Sequence, residues 1–179
     1  WQFVATDIDP VAVKTARLIV ASNPCLSKLI KVVEQKDRDS MFQGIIRPGD
    51  RFDLTMCNPP FHASMEEAQA SSQRKRDNLS EGPRGKEMGK PNFGGQRAEL
   101  WCAGGERRFV SLMIRESVAY GGQVSWFSSL ISKSERLPVL KKELSQCGAT
   151  QVQVINMSQG QKVSRLLVWS FRQSARKDG

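Results

Sequence analysis

The chain of 179 residues, 39% hydrophobic and 25% charged, is long enough for one globular domain with its own core. Its formal net charge of +9 draws it toward polyanions, and no apolar run approaches the ~18 residues that a membrane span needs. Cys25, Cys57, Cys102 and Cys147 form no CxxC pair and cannot make a zinc site with the lone His62 at any usual spacing, so free thiols in a reducing, cytoplasmic setting and no metal are expected.

The chain opens in strand-like sequence without a signal-peptide pattern, and Trp1 in place of Met predicts residues upstream. Gln2 to Ala5 reads as a short strand. Asp7 follows it, and Asp9-Pro10 has the form of a helix cap with proline at the first helical position. Ala12, Ala16, Ile19 and Val20 predict the buried stripe of a helix that stops near Ser22-Asn23-Pro24. Leu29 to Val33 predicts a second strand. Arg47-Pro48-Gly49-Asp50 is a turn, and Phe52 to Cys57 a third strand, stopped by Asn58-Pro59-Pro60-Phe61 because two prolines cannot donate to a ladder.

Residues 63–105 are polar and rich in Gly, Arg, Lys and Ser, which predicts a long functional loop inserted in the domain. Phe109, Val110, Met113, Ile114 and Val118 then mark an amphipathic helix closed by Gly121-Gly122. Gln123 to Leu130 is a strand. Leu137, Leu140 and Leu144 share a helical face that Gly148 ends. Val152 to Ile155 and Ser164 to Phe171 read as an antiparallel pair around a turn at Ser158 to Gln161, and Arg172 to Gly179 as a basic tail. The order predicts a single α/β domain over 1–179, mostly parallel in its sheet, with an antiparallel hairpin at the end. Ligands gather at the carboxyl ends of such strands, which is where Asp7 and Asn58 fall.

The turn Asn58-Pro59-Pro60-Phe61 carries the most chemistry. Tandem prolines hold it extended, so the Asn58 side-chain carbonyl and the Pro59 main-chain carbonyl can accept both hydrogens of one planar amino group, such as adenine N6. Phe61 can stack on the base. With its lone pair aimed at a methyl sulfonium, the nitrogen needs little beyond in-line placement. The plain alternative is a strand-ending proline turn. Asp7 is placed to accept from ribose hydroxyls, while Asp37 or Asp39 could take a cofactor amino group or be a solvated loop charge. In the long loop, Arg74, Lys75, Arg76, Arg84, Lys86, Lys90 and Arg97 outnumber Asp77, Glu81 and Glu87, which suits phosphate contact or simple solvation. His62 is read as a neighbour of the turn and not as a base.

Taken together, Ala5-Thr6-Asp7-Ile8-Asp9, Asn58-Pro59-Pro60-Phe61-His62, Asn92-Phe93-Gly94-Gly95-Gln96, Glu99-Leu100-Trp101-Cys102 and Gly104-Gly105-Glu106 resemble the bacterial ribosomal RNA large subunit methyltransferase F family. Its eukaryotic relative is methyltransferase-like protein 16. Trp126 to Gly148 and Ser158-Gln159-Gly160 through Trp169-Ser170-Phe171 are similar to both groups, and the wording at Phe93 to Gln96 and Trp101-Cys102 favours the bacterial branch. The resemblance implies a Rossmann-like class I methyltransferase fold, S-adenosyl-L-methionine as cofactor, and N6-methyladenine made in 23S ribosomal RNA; the oligomeric state is left open, with a monomer favoured. By position, Asp7 matches the acid on the cofactor ribose, Asp37 falls near a cofactor-contacting position, and Asn58 to Phe61 match the catalytic turn. Gly94-Gly95 and Gly104-Gly105-Glu106 match the loop over the target adenine.

Members of the family carry a strand and a glycine-rich turn ahead of the position of Ala5, and neither is in this sequence. That strand would lie between the Phe3 and Phe52 strands, so a gap in the sheet is expected there. Three rivals remain: a DNA adenine methyltransferase, which needs a target-recognition domain; a protein glutamine methyltransferase, which favours Tyr at the position of Phe61; and an RNA-binding module without catalysis.

Overall fold

A computed structural model describes residues 1–60, 102–159 and 162–173. The chain divides into two units, Trp1–Glu34 with Pro60–Glu106, and Gln35–Pro59 with Arg107–Gly179.

In the first unit, strands β1 (Phe3–Asp7) and β2 (Ile30–Glu34) pair in parallel, Phe3 opposite Ile30 and Asp7 opposite Glu34. Parallel neighbours need a crossover, and helix α1 (Pro10–Ala21) supplies it. Its start is as expected: Pro10 sits in the first turn, and the Asp9 carboxylate accepts from the Val11 amide at 2.8 Å. Three of the four residues of the predicted stripe lie on the inner face, which centres on Val13. Val13 is buried with Ala12, Ala16 and Val20 half-buried beside it, whereas Ile19 is 55% exposed. A one-turn helix α2 (Pro24–Ser27), not foreseen, follows the Asn23-Pro24 stop. Arg17 Nε donates to the Val32 carbonyl at 3.3 Å, tying α1 to β2.

The second unit holds a four-stranded sheet in the order β3 (Phe52–Leu54), β4 (Val124–Ile131), β6 (Lys162–Ser170), β5 (Gln151–Gln159). β3 and β4 are parallel, while β4–β6 and β6–β5 are antiparallel, as the expected closing hairpin requires. The hairpin strands are longer than predicted, running from Gln151 to Gln159 and from Lys162 to Ser170, because Asn156, Met157, Ser158 and Gln159 still pair across the ladder. β1 and β3 are both edge strands of their sheets.

Helix α3 (Gly105–Tyr120) begins four residues before its predicted stripe, so Gly105 and Glu106 lie in its first turn and not in a loop. Val110, Met113 and Ile114 are fully buried as expected, but Val118 is 47% exposed. Gly121 is required beyond the helix: a Cβ there would stand 2.9 Å from the Phe171 Cβ. Helix α4 (Leu137–Gln146) buries Leu140 and Leu144. It ends where Gly148 adopts φ +79° and donates to Ser145, while Ala149 donates back to Leu144. Those two bonds satisfy carbonyls that a helix end leaves open.

The core of this unit is Phe42, Val110, Met113, Ile114, Val124, Phe127, Ile131, Leu140, Leu144, Leu167 and Trp169. Phe127 stacks on Trp169 at 5.7 Å and meets Phe42 edge-on at 5.4 Å. Burying each such side chain contributes about 1.5–3 kcal/mol. The indole of Trp169 is fully buried and donates to Ser117 Oγ at 2.9 Å, so its polar end is satisfied. Ser111 and Arg115 on α3 both bond the Glu143 carboxylate on α4, at 2.6 and 2.7 Å. Among the described residues, no helix is long and apolar enough to cross a membrane.

Candidate active site

The proline turn grows directly out of β3. Regular pairing with β4 holds at Phe52–Val124 and Leu54–Trp126, and a single bridge at Cys57–Ser129 keeps the same register. Between them the strand predicted to run unbroken to Cys57 is irregular. There Thr55 N–H donates to the Trp126 carbonyl at 2.9 Å and Leu130 N–H to the Cys57 carbonyl at 2.9 Å. Ser128 Oγ donates to the Thr55 carbonyl at 2.7 Å, and Ser128 N–H reaches Thr55 Oγ1 at 3.4 Å.

Beyond Cys57 the prolines offer no N–H, and the ladder stops. Pro59 and Pro60 are buried while Asn58 is exposed, so the amide side chain stands at the carboxyl end of the strand on an anchored turn. Phe61, the fourth residue of that motif, lies outside the described residues.

The thiol of Cys57, next to Asn58, is pushed up from 9.0 to about 11 by burial, with a hydrogen bond to Ser129 opposing the rise. It is a neutral, inert group at physiological pH, and it is one of four free cysteines.

Asp7 ends β1, half-buried, and its Oδ1 accepts from the Asp9 amide at 2.8 Å, which fixes the carboxylate ahead of α1. Asp37 lies in the other unit, on the exposed stretch after β2. Its Oδ1 accepts from the Asp39 amide at 3.0 Å and its Oδ2 from Ser40 Oγ at 2.7 Å. These bonds, the Asp39 amide first, hold its carboxyl below the usual value. Asp39, the alternative acid, is paired with Arg108 at 3.1 Å.

One feature of this stretch had no signal in the sequence. The Glu116 carboxylate, on α3, accepts from three successive amides: Met41 at 2.7 Å, Phe42 at 3.0 Å and Gln43 at 2.6 Å. Gln35 Nε2 closes the same segment by donating to the Gln43 carbonyl at 3.0 Å. The segment carrying Asp37 is thereby fastened at both ends.

Of the residues matched to the adenine-covering loop, Gly104 is exposed with φ +80°, and Gly105 and Glu106 are buried at the start of α3. Gly94 and Gly95, like Arg74, Lys75 and Arg76, lie outside the described residues. Among the described residues, no group of three or more His, Cys, Asp or Glu is placed to hold a metal ion.

The profile of a protein family described as RNA methyltransferase matches residues 1–173. The chain is 54% identical over 173 residues to a protein of Desulfotalea psychrophila named ribosomal RNA large subunit methyltransferase F, covering 97% of this chain and 56% of that protein. Among solved structures, it is similar to the human METTL16 catalytic domain in complex with MAT2A 3'UTR hairpin 1. There the TM-score is 0.76 and the identity 32%, over 97% of this chain and 57% of the other. It is also similar to the N-terminal domain of human METTL16 in complex with SAH, with a TM-score of 0.67 and 26% identity over 97% and 53% of the two chains. The chain thus spans about half the length of the curated relatives it matches.

Proposed function

We propose, because the chain belongs to the RNA methyltransferase family, that it forms the catalytic part of an enzyme that methylates adenine N6 in RNA, with S-adenosyl-L-methionine as donor and large-subunit ribosomal RNA as substrate. The observation that carries the reading is the Asn58 turn: an exposed amide at a strand's carboxyl end, backed by two buried prolines and held to β4 by named bonds. The names and complexes of the similar proteins, which are ribosomal RNA methyltransferases and a domain solved with RNA and with SAH, support it.

The residues present fit the cofactor. Asp7 is a carboxylate at the end of a parallel strand and the start of a helix, and among the described residues the bond on its side chain involves Oδ1 alone. Its Oδ2 would accept from the ribose hydroxyls. Asp37, kept ionised by its own loop, would accept the cofactor's adenine amino group. When bound, the cofactor supplies a methyl group on a cationic sulfur that departs as a neutral thioether.

Asn58 Oδ1 and the Pro59 carbonyl would accept the two N6 hydrogens of the target adenine, and Phe61 would stack on its ring. Two acceptors on one amino group pull the nitrogen out of conjugation and turn its lone pair toward the methyl carbon. N6 would accept the methyl group as the thioether departs, and the surplus proton would leave N6 for solvent. No side-chain base is needed before transfer, so placement supplies most of the acceleration. Arg74, Lys75 and Arg76 would hold phosphates, while Gly94, Gly95, Gly104, Gly105 and Glu106 would border the flipped base.

The test is methyl transfer by the full-length protein from labelled cofactor to large-subunit ribosomal RNA, duplex DNA or protein. Label in N6-methyladenine of the RNA is the expected result. Label in DNA alone or protein alone would replace the reading with one of its rivals.

A further inference from the structure

We infer that Ser128 is a positioning residue for the Asn58 turn: its buried hydroxyl holds the Thr55 carbonyl and so sets where Asn58 stands. The inference rests on the function proposed above. In a regular parallel ladder, the amide of Ser128 would donate to the Thr55 carbonyl. Here the hydroxyl takes that carbonyl at 2.7 Å, and the amide turns to Thr55 Oγ1 at 3.4 Å.

The exchange comes where the edge strand leaves regular pairing, three residues before Asn58. The next tether is the Cys57 carbonyl on Leu130, and after it two prolines can donate nothing. The carbonyls of Thr55 and Cys57, just beyond β3, therefore join the Thr55 N–H bond to Trp126 in fixing the segment from which Asn58 projects. Only one of those bonds depends on a side chain, and Ser128 is fully buried, so water does not reach its hydroxyl as a substitute partner. A shift of about 1 Å in a reacting group can cost ~10²-fold in rate, and losing the bond on the Thr55 carbonyl loosens the segment that carries Asn58.

The experiment uses the full-length enzyme, at a temperature where every variant is folded by circular dichroism. Ser128→Ala removes the donor, and Ser128→Cys keeps a donor, though a much weaker one on a larger atom. Both should lower kcat by ~10-fold or more, Cys less than Ala, with KM for RNA and cofactor Kd within about 2-fold of the parent. Ser117→Ala is the control, since it removes another buried hydroxyl, the partner of Trp169, without touching β3. It should lower thermal stability and leave kcat alone. Unchanged kcat in both Ser128 variants would overturn the inference, as would an equal loss in all three. Asn58→Ala run alongside separates the two readings: if it keeps full turnover, the proposed function fails; if it is inactive and the Ser128 variants are not, only the positioning role fails.

Discussion

At the scale of single residues, chemistry and burial divide at Cys57 and Asn58. Asn58 is exposed and its neighbours on both sides are not. Asn58→Ala should lower kcat by ~10²-fold or more, with RNA affinity little changed, because the missing acceptor matters only when the amino group is aligned for transfer. Single-turnover rates beside RNA titrations would check this. Cys57 gives a prediction about pH. Its folded-state value, about 11, lies above the ordinary 9.0, so the folded protein holds the thiol proton more tightly than the unfolded chain does. That contribution is whole below pH 9 and is lost as the pH climbs toward about 11. Urea midpoints measured between about pH 8 and 11 should fall more steeply for the parent than for Cys57→Ala, and matching slopes would count against the burial. Tyr120, also raised by burial and by Glu116, adds to the parent's fall and remains in the variant. At neutral pH, alkylation should reach the exposed Cys25 well before Cys57.

At the scale of elements, Glu116 joins α3 to the segment after β2. One carboxylate satisfies three consecutive amides, an arrangement like the capping of a helix start; Ile45 and Ile46 both donate back to Phe42 and complete the turn. Phe42 enters the aromatic core from that turn. Glu116→Ala would leave three donors without their partner and loosen Phe42. It should cost on the order of 3 kcal/mol, at the upper end for bonds to a charged group. Glu116→Gln keeps one acceptor oxygen and should cost less. Chemical denaturation gives the totals. Amide exchange at Met41, Phe42 and Gln43 should quicken in both variants, and unchanged exchange there would mean that the fork is not what holds the segment. If Asp37 meets the cofactor as proposed, cofactor affinity should fall with it.

At the scale of the whole molecule, the net charge of +9 is a statement about partners and not about the fold. Reversing Arg74, Lys75 and Arg76 to Glu should weaken RNA binding and flatten its salt dependence, by about 0.7–0.9 in the log–log slope for each phosphate that is no longer neutralised. An unchanged slope would make this stretch a solvated loop. Local pattern in the sequence is enough for the order of strands and helices, the Asp9-Pro10 start, the Gly148 stop and the proline end of β3. Each rests on a period of two or 3.6, a missing N–H, or a backbone angle open to glycine. Local pattern also sets the errors. Helical spacing puts the α1 stripe on Ile19 and extends the α3 stripe to Val118 because both are apolar, but burial depends on what faces a helix, which spacing does not contain. Tertiary structure alone brings Ser128 to Thr55 from 73 positions away and Glu116 to Met41 from 75 positions away, and shuts the Cys57 thiol from water. Those pairings follow from register and packing, which many different residues could satisfy, so no motif announces them.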